Sequence, residues 1–114
     1  ALDVSTMWCA PCQELAGEVQ ATWEDYEDEG FIYLTVLPED LAGEVPDVED
    51  LNSWADSFGI EAPVLADGSG FGYELVGSDA YPAIMIVARD LTVAVERVTP
   101  AEDATIRAAI EDEL

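Results

Sequence analysis

The sequence predicts an α/β sandwich built on a mixed sheet, and three observations predict it. Strand-length apolar runs alternate with amphipathic stretches at first, as in strands joined by helical crossovers. Later, two strand patterns follow each other around Arg89-Asp90, which closes the sheet with an antiparallel hairpin. The 114 residues, half of them apolar, supply one core and one domain, residues 1–114.

Taken in order, ALDVS reads as a buried strand. Pro11 to about Glu29 reads as a helix, with Leu15, Val19, Trp23 and Tyr26 on one side and Glu14, Glu18, Gln20, Glu24 and Asp25 on the other. Gly30 is its expected stop, and Glu27, Asp28 and Glu29 crowd the negative end of its dipole. FIYLTVL, residues 31–37, is continuous enough for a buried parallel strand, ended by Pro38. A second helix is expected after Pro46, capped by Asp47, with Val48, Leu51, Trp54 and Phe58 on one face and Gly59 at its end. APVLAD suggests a short extended piece. GSGFGYELVG, at best a short helix near residues 71–76, reads as loop because it holds four glycines. PAIMIVA and LTVAVERV form the hairpin strands. Thr99-Pro100-Ala101-Glu102 has the form of a capping box with proline at the first helical position, and Ile106 and Ile110 give the last helix its buried stripe.

Composition then removes whole classes of function. Asp and Glu number 26 against three Lys plus Arg, with no His, for a formal charge of −23. A surface that tracks nucleic-acid phosphates needs cations and is excluded, and docking on anionic lipid is disfavoured. The acids are scattered among apolar positions, which argues for a folded chain, and the absence of every Lys favours life in salt over selection for a basic partner. No apolar run approaches the 18 residues of a membrane span, so this domain is expected not to insert directly into a bilayer. Residue 1 enters a strand-like segment without an initiator Met, so the sequence is expected to lack the N-terminal part of a longer product.

Both cysteines lie in MWCAPCQEL, two residues apart. A closed zinc site needs four ligands, usually Cys and His, and the chain offers two Cys and no His; no metal is expected. A purely structural disulfide gains little from a loop this short. The position is more telling, because the pair lies where a strand runs out and a helix begins. Unpaired N–H groups at a helix mouth stabilise a thiolate, the nucleophilic form of cysteine. Surface acids beyond about 8 Å are largely screened at physiological ionic strength, so the local helix end is expected to dominate. Cys9, at the mouth, is then the attacking thiol and Cys12, one turn in, the buried resolving thiol. Pro11 needs no hydrogen-bond donor in the first turn.

Trp8-Cys9-Ala10-Pro11-Cys12 resembles the W-C-x-P-C centre of the thioredoxin superfamily, and the element order resembles that fold over nearly the whole chain, without its usual N-terminal strand. LNSWADSFGIEAPVLAD followed by YPAIMIVARD is similar to the extracytoplasmic TlpA/ResA-like branch, where an extra helix and short strand lie between the second and third core strands. The resemblance implies a thiol:disulfide oxidoreductase without a cofactor. It further implies that Pro82 is the family's cis-proline beside the disulfide, that Trp8, Ala10, Pro11, Tyr81 and Pro82 meet the substrate, and that the Tyr81 backbone pairs with an incoming strand. Asp3, six residues before Cys9, matches the buried acid that takes the proton of Cys12; an acid in an apolar strand is alternatively paired or exposed at the domain edge. Leu15 departs from the Glu that many TlpA/ResA-like members carry three residues after the second cysteine, which leaves proton management to Asp3.

The partners implied are protein disulfide or dithiol substrates and an upstream redox protein, met by a monomer outside the cytoplasm, periplasmic or tethered; the cytoplasm of a halophile is the alternative location. Two rival functions remain. Thr6-Met7-Trp8-Cys9 contains the T-x-x-C of peroxiredoxins, although Leu2 stands where that family has proline. A redox-inert module that uses its acidic face for cations or basic proteins is the other. Copper delivery lacks His and a Met-rich patch, and the terminal Glu-Asp-Glu-Leu has an acid where a retrieval signal has a basic residue.

Overall fold

The structure, a computed structural model, describes residues 1–76 and 80–114. Five strands, β1 (Leu2–Val4), β2 (Leu34–Leu37), β3 (Val64–Ala66), β4 (Ala83–Val87) and β5 (Val93–Val95), form a sheet in the order β3-β2-β1-β4-β5. β1, β2 and β3 are parallel, while β4 runs antiparallel to both β1 and β5. The sheet is therefore mixed, with the crossovers first and the hairpin last. Among the described residues four α-helices accompany it: α1 (Ala10–Tyr26), α2 (Val48–Phe58), α3 (Phe71–Val76) and α4 (Asp103–Glu111).

β1 sits in the middle, so both its edges are bonded and its two faces are covered. Residues two apart on a strand share a face, which puts Asp3 and Ser5 together and Val4 opposite them. α1 turns Cys12, Leu15, Ala16, Val19, Thr22 and Tyr26 inward. It joins two apolar clusters, one with Tyr33, Leu37 and Trp54, the other with Ile84, Ile106 and Ile110. The helix ends in a 3₁₀ turn, Glu27–Glu29, and at Gly30, whose φ of 87° is left-handed. The crowd of acids there has an answer from elsewhere in the chain, since the Arg89 guanidinium donates to the Glu29 carbonyl.

Four expectations need correction. β2 begins at Leu34 rather than Phe31, because Phe31 and Tyr33 are used in an edge-to-face series with Tyr26, with ring centroids 6.0 and 5.9 Å apart. In α2 the reciprocal cap between Asp47 and Asp50 is present and Trp54 is buried, but Val48, the first helical residue, is 71% exposed. The stretch read as loop contains α3, held at its start by Asp67, whose carboxylate accepts from the Phe71 and Gly72 amides at 3.0 and 2.5 Å. Gly77, the last residue of that reading, lies outside the described residues. Finally, α4 starts at Asp103, not Pro100, and no side chain caps it. The Val98 amide is still bonded to Ile84 of β4 at 2.8 Å, and Asp103 is drawn to α1 by the Thr22 hydroxyl, so tertiary contacts override the local capping pattern.

Candidate active site

β1 ends at Val4, and the chain turns through Thr6 and Met7 before α1 starts at Ala10. Cys9 is the N-cap residue. Its backbone is extended, its carbonyl accepts from the Gln13 amide at 3.1 Å, and its Sγ accepts from the Cys12 amide at 3.3 Å. Sulfur thus takes the place of the capping oxygen that Ser or Asp would supply, and an amide N–H is aimed at the atom that carries charge in a thiolate. The Cys9 thiol also reaches the Tyr81 carbonyl, 3.4 Å away. Both cysteines are free thiols, 6% and 1% exposed.

The peptide bond between Tyr81 and Pro82 is cis, and β4 begins at the next residue. This turn stands beside the helix mouth, so Cys9, Pro11, Tyr81 and Pro82, which the sequence assigned to one site, come together. An open groove of about 470 Å³ runs from Pro11 and Leu15 past Tyr81 and Pro82 to Pro100 and Ala101, rimmed by four carboxylates. Leu15, where the resemblance led one to look for an acid, lines that groove. Trp8, at the far side of the thiol, is 49% exposed, and Ala10 is exposed at the first turn.

Beneath the pair lies polar ground. Asp3 is 2% exposed, and the Ser5 hydroxyl donates to its Oδ1 at 2.6 Å. Burial raises the Asp3 carboxyl to about 7, against the opposing pull of the Ser5 hydrogen bond. Burial, followed by hydrogen bonding to Cys9, pushes the Cys12 thiol far above its ordinary value, while the Ser5 side chain and the Thr6 backbone bond it in the opposite sense. Cys12 therefore holds its proton at neutral pH. Asp3 is thus buried in the sheet and paired with Ser5, not exposed at the domain edge.

Sequence reasoning missed two residues of the site. Glu39 follows β2 at the carboxyl end of a parallel strand, and its carboxylate accepts from Trp8 Nε1 at 3.2 Å and from the Tyr73 hydroxyl. Tyr73, from α3, meets Tyr81 edge to face at 6.4 Å, and Tyr81 meets Trp8 at 6.3 Å. Burial and then the Glu39 carboxylate push the Tyr73 phenol up, so it remains a donor. The result is an aromatic collar beside Cys9, anchored by one acid. Its signal in the sequence was positional, since sites in parallel sheets form at the carboxyl ends of strands.

No protein-family model matches the chain, and no similar curated protein is detected. Solved structures are similar. The thioredoxin domain of a thiol-disulfide oxidoreductase from Bacteroides vulgatus superposes with a TM-score of 0.76 at 14% identity, covering 97% of this chain and 75% of that one. A secreted Mycobacterium tuberculosis disulfide oxidoreductase, homologous to DsbE of E. coli, gives 0.73 at 15% identity, with 97% and 78% covered. A protein from Chlorobium tepidum, provisionally assigned as thiol:disulfide interchange protein DsbE, gives 0.77 at 21% identity, with 98% and 77% covered. All three neighbours are described as thiol:disulfide exchange proteins, and with the mixed sheet, the C-x-x-C pair at a helix mouth and the neighbouring cis-proline they establish that this chain has the thioredoxin fold.

Proposed function

We propose that this protein is a thiol:disulfide oxidoreductase acting on protein substrates through Cys9 and Cys12. The observation that carries the reading is the Cys9 sulfur at the cap of α1, facing the Cys12 amide on one side and the Tyr81 carbonyl on the other. In the reducing direction the Cys9 thiolate attacks one sulfur of a substrate disulfide, and the other leaves as a thiolate that takes up a proton. The Cys12 thiolate then attacks Cys9 Sγ, the Cys9–Cys12 bond forms, and the second substrate sulfur is released. Two electrons pass from the protein pair to the substrate; the reverse sequence oxidises a dithiol. Asp3 accepts the proton that Cys12 gives up.

The groove beside Pro82 and the collar of Trp8, Tyr73 and Tyr81 are the proposed substrate surface, with the backbone of the Tyr81–Pro82 turn as the partner of an incoming strand. Work outside the cytoplasm is part of the proposal, supported by the secreted neighbour; among the described residues no helix is long and apolar enough to cross a membrane. The peroxidase alternative loses support, because the Thr6 hydroxyl, which would have to hold Cys9, has no hydrogen-bond partner among the described residues. Insulin reduction driven by a dithiol, measured at low and at molar salt, tests the reading. Turnover by the unmodified protein and its loss in Cys9→Ser are expected; an inert wild-type protein at every salt concentration would defeat it.

A further inference from the structure

Asp3 and Cys12 belong to different elements, and both are buried. The group that lies between them is the hydroxyl of Ser5, itself 0% exposed. It donates to Asp3 Oδ1 at 2.6 Å, and the same side chain lies near enough to the Cys12 thiol to draw its ionisation down against the effect of burial. Because a hydroxyl has one proton and two lone pairs, a donor to a carboxylate is free to accept from a thiol. We propose that Ser5 is the proton relay of the resolving step: the Cys12 S–H proton passes to Ser5 Oγ as the Ser5 proton passes to Asp3 Oδ1. The step balances, since a thiol and a carboxylate become a thiolate and a carboxylic acid with the hydroxyl regenerated. No electron moves until the Cys12 thiolate attacks Cys9.

The arrangement follows from the fold. Asp3 and Ser5 project from the same face of the chain at the end of β1, and α1 packs over that face with Cys12 on its inner side. The titratable groups facing the relay are the Tyr33 phenol, the Cys9 thiol and the Ala1 amino group. The Tyr33 hydroxyl has no hydrogen-bond partner among the described residues, and burial with the Asp3 charge keeps it protonated, so it does not compete as a base. An acid that ionises near 7 in this setting is matched to a task at neutral pH.

This inference rests on the thiol:disulfide reading, and one experiment separates the two. Reduced protein is mixed rapidly with dithiobis(nitrobenzoate), an aromatic disulfide whose released thiolate is coloured. Attack by Cys9 releases the first equivalent, and attack by Cys12 on the resulting mixed disulfide releases the second. The wild type is expected to show both phases. In Ser5→Ala the second phase at about pH 6 should slow on the order of a hundredfold while the first stays within about twofold, with the gap narrowing as pH rises. Ser5→Thr, which retains a hydroxyl, should restore the second phase. In heavy water the second phase of the unmodified protein should slow and the first should not, a test that needs no variant to fold. A wild type lacking the second phase would overturn the thiol:disulfide reading itself. Two normal phases in Ser5→Ala, or equal second phases in light and heavy water, would overturn the relay alone.

Discussion

Asp3 is a carboxyl group held out of water on the central strand, and its raised ionisation has a measurable consequence for stability. In the unfolded chain it ionises near the ordinary aspartate value of 3.8, in the folded chain at about 7. The folded state therefore binds more protons than the unfolded state between those values, and stability falls as pH rises through that window. Below it the neutral acid carries no penalty; above it the full penalty is present. Asp3→Asn, neutral at every pH, should stabilise the protein at pH 8 by roughly 2–4 kcal/mol and flatten the slope between about pH 4 and 7. Urea unfolding across that range checks this, and an unchanged slope would show that Asp3 is not the titrating group. Residue positions fixed by short-range spacing were legible in the sequence: Cys9 and Cys12 at a helix mouth, Pro82 opening a strand, Asp3 six residues upstream. Glu39, Tyr73 and the linking position of Ser5 were not, because they depend on which strand end, helix and side-chain face the fold brings to the cysteines.

The elements divide in the same way. α1, α2 and the β4–β5 hairpin were readable because periodicity, Gly stops and turn residues agree with the tertiary structure that forms. α3 was missed because its cap comes from Asp67, outside the glycine-rich stretch that drew the eye, and α4 starts late because contacts to β4 and α1 decide its beginning. α3 also shows why a glycine there is structural. A Cβ on Gly72 would lie 2.9 Å from Val4 Cγ1 and 3.0 Å from Asp67 Oδ2, so the helix rests on β1 only with hydrogen at that position. Gly72→Ala should push α3 away from the sheet, lower stability by about 1–3 kcal/mol and displace Tyr73 from the collar. Thermal melting together with the fluorescence of Trp8 reads both effects; an unaltered melting temperature would mean that the contact relaxes freely.

For the molecule as a whole, the unusual quantity is a charge of −23 on a chain whose radius of gyration is 13.1 Å. Each of the three arginines is engaged: Arg107 bridges Asp25 and Asp103 at 2.6 and 2.8 Å, Arg97 donates to the Ala80 carbonyl, and Arg89 to that of Glu29. The other acids repel one another with few cations to offset them, and added salt shortens the range of that repulsion from about 10 Å at 0.1 M to about 3 Å at 1 M. The melting temperature should climb steadily from low to molar sodium chloride, and a flat profile would contradict adaptation to salt. Fold class was legible from the sequence because it depends on pattern averaged over many residues, whereas the groove and collar depend on particular contacts. The central claim, that Cys9 attacks and Cys12 resolves, is tested most directly by trapping. Cys12→Ser, incubated with a disulfide-containing protein at molar salt, should accumulate a covalent adduct that mass spectrometry maps to Cys9 and a reductant dissolves. An adduct on Cys12 in the Cys9→Ser variant, with none on Cys9 in Cys12→Ser, would contradict it.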